Sequence, residues 1–145
     1  EEIDNMKFKL ENRYLKDSLE LMRSIPLSGY QSIARTRFSK LLVEPLQNYI
    51  DSKNELVNEF VKRDADGNPV KAQNGFKIED GKEEEFTLAS NKLSNQYAEI
   101  DKGTYTDHEK DIKEVLKNLN QPLSGSQADA YAALCDALDV NFDKK

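Results

Sequence analysis

The sequence predicts an α+β fold, mostly helical, in which one long kinked helix is packed by three or four shorter helices and a small antiparallel β-hairpin lies to one side. Three observations predict it. Apolar residues recur at steps of three and four from Tyr30 to Val61, the stripe of a 3.6-residue helix. Shorter stretches before and after carry the same period. Between them, Asn74-Gly75 sits inside Val70-Lys-Ala-Gln-Asn-Gly-Phe-Lys-Ile78, the strongest short hairpin signal, because both residues tolerate positive φ. The chain has 145 residues, which suits one domain with a real core. That domain is expected over 6–142. Residues 1–5 precede Met6 and are set aside, and 143–145 form a fraying tail.

In chain order, Met6-Lys-Phe-Lys-Leu10 alternates apolar and basic residues and reads as a half-exposed strand. Asn12 then caps a helix through about Ser24, with Leu15, Leu19, Met22 and Ile25 on one face. Pro26-Leu-Ser-Gly29 ends it. A near copy, Pro122-Leu-Ser-Gly125, occurs late in the chain, and Gln31 and Gln127 match as well. Duplication is not needed to explain this pair. Ser28 and Ser124 are good N-caps, and a glutamine three residues on completes a capping box, so each copy marks a helix start.

The long helix is expected from Gly29 to Arg63. Its stripe comprises Tyr30, Ile33, Ala34, Phe38, Leu41, Leu42, Leu46, Tyr49, Ile50, Leu56, Val57, Phe60 and Val61, and lapses at Ser52-Lys-Asn54. Pro45 removes a backbone donor and clashes with the carbonyl four residues earlier, which predicts a kink near 41–45, with a break into two helices as the alternative. Fully helical, the segment is about 50 Å long at about 1.5 Å per residue. A compact chain of this size has a radius of gyration of about 14–15 Å. A helix of that length invites a partner, often a second copy of the chain.

Asp64-Ala-Asp-Gly-Asn-Pro69 is a strong turn. Its Asp64-x-Asp66-x-Asn68 spacing matches the start of a calcium loop. However, Pro69 stands where such a loop needs glycine, and Gly75 where it needs glutamate. No metal site is assigned. The hairpin follows, extended by the strand at 6–10 or by residues 98–102, since an isolated hairpin is marginal in water. Residues 82–98 return to helix, with Phe86, Ala89, Leu93, Tyr97 and Ile100 in a stripe and Glu83-Glu-Glu85 in the first turn, where the helix dipole favours acids. Thr106-x-x-Glu109 is a capping box that opens a helix with Ile112, Val115, Leu116 and Leu119 inward. The last helix runs from about Gly125 to Leu138 and carries Tyr131, Leu134, Cys135 and Leu138. Its alanines permit close approach of another helix.

Chemistry is sparse. The single cysteine, Cys135, lies in an apolar helical pattern and reads as core. The single histidine, His108, has no neighbouring cysteine or histidine to complete a metal site and reads as a surface residue. There is no phosphate loop, dinucleotide fingerprint or nucleophile motif. No catalytic residue and no cofactor are assigned. No apolar run approaches membrane-spanning length, so no membrane association is expected.

The net charge of −6 hides an asymmetry: residues 6–40 carry +5 and residues 41–145 carry −8. A basic end and an acidic body steer partners, pair with each other in an oligomer, or neutralise within one fold. Within the basic segment, Tyr30, Arg35, Arg37 and Lys40 form the candidate partner-binding cluster, with Phe38 interleaved. Its readings are intramolecular ion pairs, an acidic protein surface, or nucleic-acid phosphate.

The order of features resembles a family of small uncharacterised proteins encoded by phages and prophages of Gram-positive bacteria. The resemblance is carried by Ala34-Arg-Thr-Arg-Phe-Ser-Lys-Leu-Leu42, by Lys62-Arg-Asp-Ala-Asp-Gly-Asn-Pro-Val70, and by Leu123-Ser-Gly-Ser-Gln-Ala-Asp-Ala-Tyr-Ala-Ala-Leu-Cys-Asp-Ala-Leu138. It covers nearly the whole chain from Met6 and brings no catalytic signature. It implies a viral origin, the bacterial host cytoplasm or the virion as location, and a non-enzymatic accessory role exercised on a phage or host protein. The alternative expectation is a nucleic-acid-associated protein using the basic segment 7–40.

Overall fold

The computed structural model describes residues 7–101 and 109–142. His108 and the Thr106 capping position lie outside the described residues. Among those described, strands β1 (Lys7–Glu11), β2 (Lys71–Ala72), β3 (Gly75–Phe76) and β4 (Tyr97–Asp101) accompany helices α1 (Leu15–Ser24), α2 (Gly29–Phe60), α3 (Glu83–Asn95), α4 (Glu109–Lys117) and α5 (Gly125–Ala137). The fold is mostly helical α+β, as the periodicity predicts. The chain packs as two compact units, one holding residues up to Leu46 and from Tyr97 onward, the other Gln47–Gln96.

In the first unit, β1 and β4 pair antiparallel, with Phe8 opposite Ile100 and Leu10 opposite Ala98. Alternation puts Phe8, Leu10 and Ile100 inward, and all three are buried. A 3-10 turn at Asn12–Tyr14 leads into α1, so the helix starts later than an Asn12 cap implies. Leu15, Leu19 and Met22 of α1 are buried, as are Ala34, Phe38 and Leu42 of α2, Ile112, Val115 and Leu116 of α4, and Ala130, Leu134 and Cys135 of α5. Phe8 stacks on Phe38, with ring centroids 5.8 Å apart, tying the sheet to α2.

In the second unit, α2 continues to Phe60. Tyr49 and Ser94 hydroxyls join α2 to α3 at 2.7 Å, and Phe60 meets the edge of Phe86 at 5.8 Å. The hairpin is present, but its closing pair is Ala72–Gly75 and its loop is Gln73-Asn74, one residue earlier than the Asn-Gly reading. Gly75 takes φ +134 next to the turn, and it is this glycine that needs the freedom.

Among the described residues, β1 and β4 pair with each other rather than extending the hairpin as expected. The hairpin instead gains residues 61–63, expected as the end of the long helix. Val61 bridges Ile78, Arg63 bridges Pro69, and the Lys62 N–H donates to the Lys77 carbonyl at 2.7 Å. Backbone groups leaving α2 thus find partners at once in a third short extended segment. The helix expected over 82–98 stops at Asn95, because Tyr97–Asp101 has a strand partner in β1.

α2 runs unbroken through Pro45, which settles the alternative of two separate helices. Its expected single stripe divides. Ala34, Phe38 and Leu42 are buried, whereas Tyr30, Ile33 and Ile50 are exposed.

Candidate functional site

The basic cluster separates into two parts with different roles. Arg35 faces α1. Its guanidinium donates to the carbonyls of Met22 at 3.1 Å, Arg23 at 3.4 Å and Ile25 at 2.6 Å. These carbonyls close α1, where the helix itself offers no donors, and the partial negative charge of a helix C-terminus attracts the cation. Among the intramolecular roles considered for Arg35, the structure supplies a helix cap rather than an ion pair. Gln31 donates its side-chain amide to the Glu114 carboxylate of α4 at 3.1 Å. Ser124 occupies the N-cap position of α5 but makes no side-chain capping bond.

Tyr30, Arg37 and Lys40 point the other way. With about 100° per residue, positions 30, 33, 37 and 40 fall on one stripe, turned about 120° from the buried Ala34, Phe38 and Leu42. Tyr30 is 60% exposed and Ile33 49%. Ser32, Ile33, Thr36, Arg37, Lys40 and Leu41 line a concavity of ≈ 450 Å³. Arg37 and Lys40 are exposed, and among the described residues neither finds a side-chain hydrogen bond or ion pair. The surface therefore offers two open cations beside apolar area, an arrangement suited to an acidic, partly apolar partner.

A second concavity, of ≈ 420 Å³, lies between α5 and the β1–β4 pair. Ala132 and Ala133 line it together with Tyr14 and Tyr97, and Glu11, Asp129, Asp136 and Lys9 bring its charges. Tyr97 is 65% exposed. Sequence reasoning misses this place. Asp129 and Asp136, seven residues apart with three alanines between them, share one face of a helix, and that is the available signal. Tyr97 is not legible, because its spacing continues the preceding helical stripe.

The buried polar chemistry is structural. Tyr131 donates its hydroxyl to the Leu116 carbonyl at the end of α4. Its phenol is pushed up from its ordinary 10.0 to about 12, chiefly by burial and then by Cys135. Burial pushes the Cys135 thiol up from 9.0 to about 11. Both groups hold their protons at neutral pH. Asp64, first residue of the calcium-like stretch, accepts backbone N–H bonds from Asp66 at 2.9 Å and Asn68 at 3.0 Å, so its carboxylate is used to hold the loop. Among the described residues no three His, Cys, Asp or Glu side chains gather to hold a metal, and no helix is long and apolar enough to cross a membrane.

No family model matches the chain, and neither does any curated protein or solved structure.

Proposed function

We propose that this chain is a phage- or prophage-encoded accessory protein without enzymatic activity, acting by protein–protein contact in virion assembly or on a host factor in the bacterial cytoplasm. The surface that meets the partner is the exposed stripe of α2. The observation that carries this reading is the pair of open cations, Arg37 and Lys40, next to exposed Ile33 and Tyr30 on one helix face. Apolar area supplies affinity, and charges set orientation and encounter rate. Tyrosine and arginine are also the side chains most often found at the energetic centre of interfaces.

A photo-crosslinking amino acid in place of Ile33 tests this in cells where the protein is made. One dominant acidic adduct is expected, and the Arg37→Glu/Lys40→Glu variant should lose it. Adducts scattered over many proteins, or unchanged in the variant, would overturn the assignment of the surface.

A second reading, nucleic-acid binding through residues 7–40, draws on the same open cations. Against it, Lys7 pairs with Glu99, Arg13 pairs with Glu11, and Arg35 is bound to backbone. Fluorescence anisotropy with DNA and RNA at low salt separates the two. Under this second reading, each phosphate contact adds about 0.9 to the salt slope on duplex DNA.

A further inference from the structure

We propose that the acidic partner of the α2 stripe is a second copy of the same chain, seated head to tail. Arg37 and Lys40 of one copy enter the concavity between α5 and the β1–β4 pair of the next and pair with Asp129 and Asp136. The proposal rests on the assignment of the α2 stripe as the contact surface and names what covers it.

The receiving site has the chemistry of a cation acceptor. Its described rim carries three carboxylates against the single Lys9. Glu11 is already engaged by Arg13 at 3.3 Å, and Arg13 lies over the Tyr14 ring at 4.9 Å. Asp129 and Asp136 are both exposed and make no ion pair among the described residues. The broad exposure of Tyr97 leaves an aromatic face beside them, and such faces attract guanidinium and ammonium groups. The small side chains of Ala132 and Ala133 let a second helix come close.

The complement is present on the same chain. Asp129 and Asp136 are two helical turns apart, about 10.5 Å along the axis. Arg37 and Lys40 stand three residues apart, about 4.5 Å along the axis of α2, so it is their charge and not their interval that matches the two carboxylates. No residue lines both concavities. One copy can therefore give with one surface and receive with the other. Such a contact is heterologous and builds a ring or an open chain, not an isologous pair.

Sedimentation velocity on the full chain tests this. At low salt the sedimentation coefficient should rise with concentration. It should fall back in about 1 M salt, where the Debye length is about 3 Å. Arg37→Glu/Lys40→Glu and Asp129→Lys/Asp136→Lys should each stay monomeric, because each lacks one half of the contact. Mixed in equal amounts, the neutral variants Arg37→Ala/Lys40→Ala and Asp129→Asn/Asp136→Asn should form a dimer and nothing larger, since one intact stripe then meets one intact acceptor. The two charge-reversed variants instead attract at both surfaces and should form larger alternating assemblies. If a charge-reversal variant fails to keep the wild-type circular dichroism, Arg37→Ala/Lys40→Ala and Asp129→Asn/Asp136→Asn replace it. A wild type that stays monomeric at low salt, a variant that still self-associates, or a mixture that does not pair overturns the proposal. A monomeric wild type whose crosslinked partner is still lost in Arg37→Glu/Lys40→Glu removes the second copy as occupant and leaves the α2 surface standing. A monomeric wild type with no dominant adduct removes both.

Discussion

Helix α1 ends with carbonyls that have no donor of their own, and Arg35, ten or more residues away in sequence, supplies three bonds to them. Bonds from a charged donor to backbone in a partly buried place are among the stronger ones, because removing the donor leaves carbonyls desolvated and unpaired. Arg35→Ala should lower unfolding stability by about 1.5–3 kcal/mol. Arg35→Lys should recover part of this, since all three bonds leave one guanidinium nitrogen and an ammonium also carries several donors on one nitrogen. Urea denaturation gives both values. Arg37→Ala, on the open face, should shift the same curve by less than about 0.5 kcal/mol. Cys135 and Tyr131 give a different residue-scale outcome. In the folded protein both hold their protons more tightly than in the unfolded chain. The unfolded chain therefore ionises first, and stability falls as pH rises, from 9.0 to about 11 for the thiol and from 10.0 to about 12 for the phenol. Below that window the two groups contribute no slope. Urea midpoints from pH 7.5 upward, compared between wild type and Cys135→Ala, isolate the thiol's share as a shallower fall in the variant.

At the scale of elements, the repeated Pro-Leu-Ser-Gly gains a physical cause. Gly29 has φ +62 and Gly125 has φ +59, each as the first residue of its helix. A side chain there strains the backbone, whatever room surrounds it, and a Cβ would meet nothing within 4 Å at either site. Gly29→Ala and Gly125→Ala should each cost about 1–2 kcal/mol, read from urea midpoints, with asparagine better tolerated than alanine. Serine and glutamine mark both helix starts in the sequence, although the glycine meets the conformational demand. Local periodicity is a good guide wherever a helix stays a helix: α1, α4 and α5 bury most of the residues their stripes name. It fails where pairing between distant segments decides the outcome. Tyr97 and Ile100 continue the α3 stripe at helical spacing, yet β1, some ninety residues earlier, takes them into a strand. Similarly, Val61 completes the α2 stripe but is drawn into a bridge with Ile78. The candidate site is legible in the sequence as a set of residues and not as an orientation. Arg35, Arg37 and Lys40 are too close in sequence for composition to reveal that one faces a helix end while the other two face outward.

At the scale of the whole molecule, the two units differ in how much they bury. The first holds Phe38, Leu42, Leu15, Met22, Ile112, Leu116 and Leu134 at 0% exposure. In the second, the buried hydrophobic side chains among the described residues are Phe60 and Val61, and α3 buries none. α2 belongs to both, with the division falling between Leu46 and Gln47, just past Pro45. Pro45 has no N–H to give the Leu41 carbonyl, so the ladder is weakest near the place where the core changes. The free energy of local opening grows with the apolar surface that opening exposes to water. Amide hydrogen exchange should therefore show a step within this single helix. Amides around Phe38 and Leu42 should be protected at least about thirty-fold more than those between Gln47 and Glu59, a difference of about 2 kcal/mol in opening free energy. Amides of α3 should exchange with the faster group, and those of α1 and α5 with the slower. Even protection along the whole of α2 would show instead that the helix opens as one body, with its proline and its change of core carrying no separate opening step.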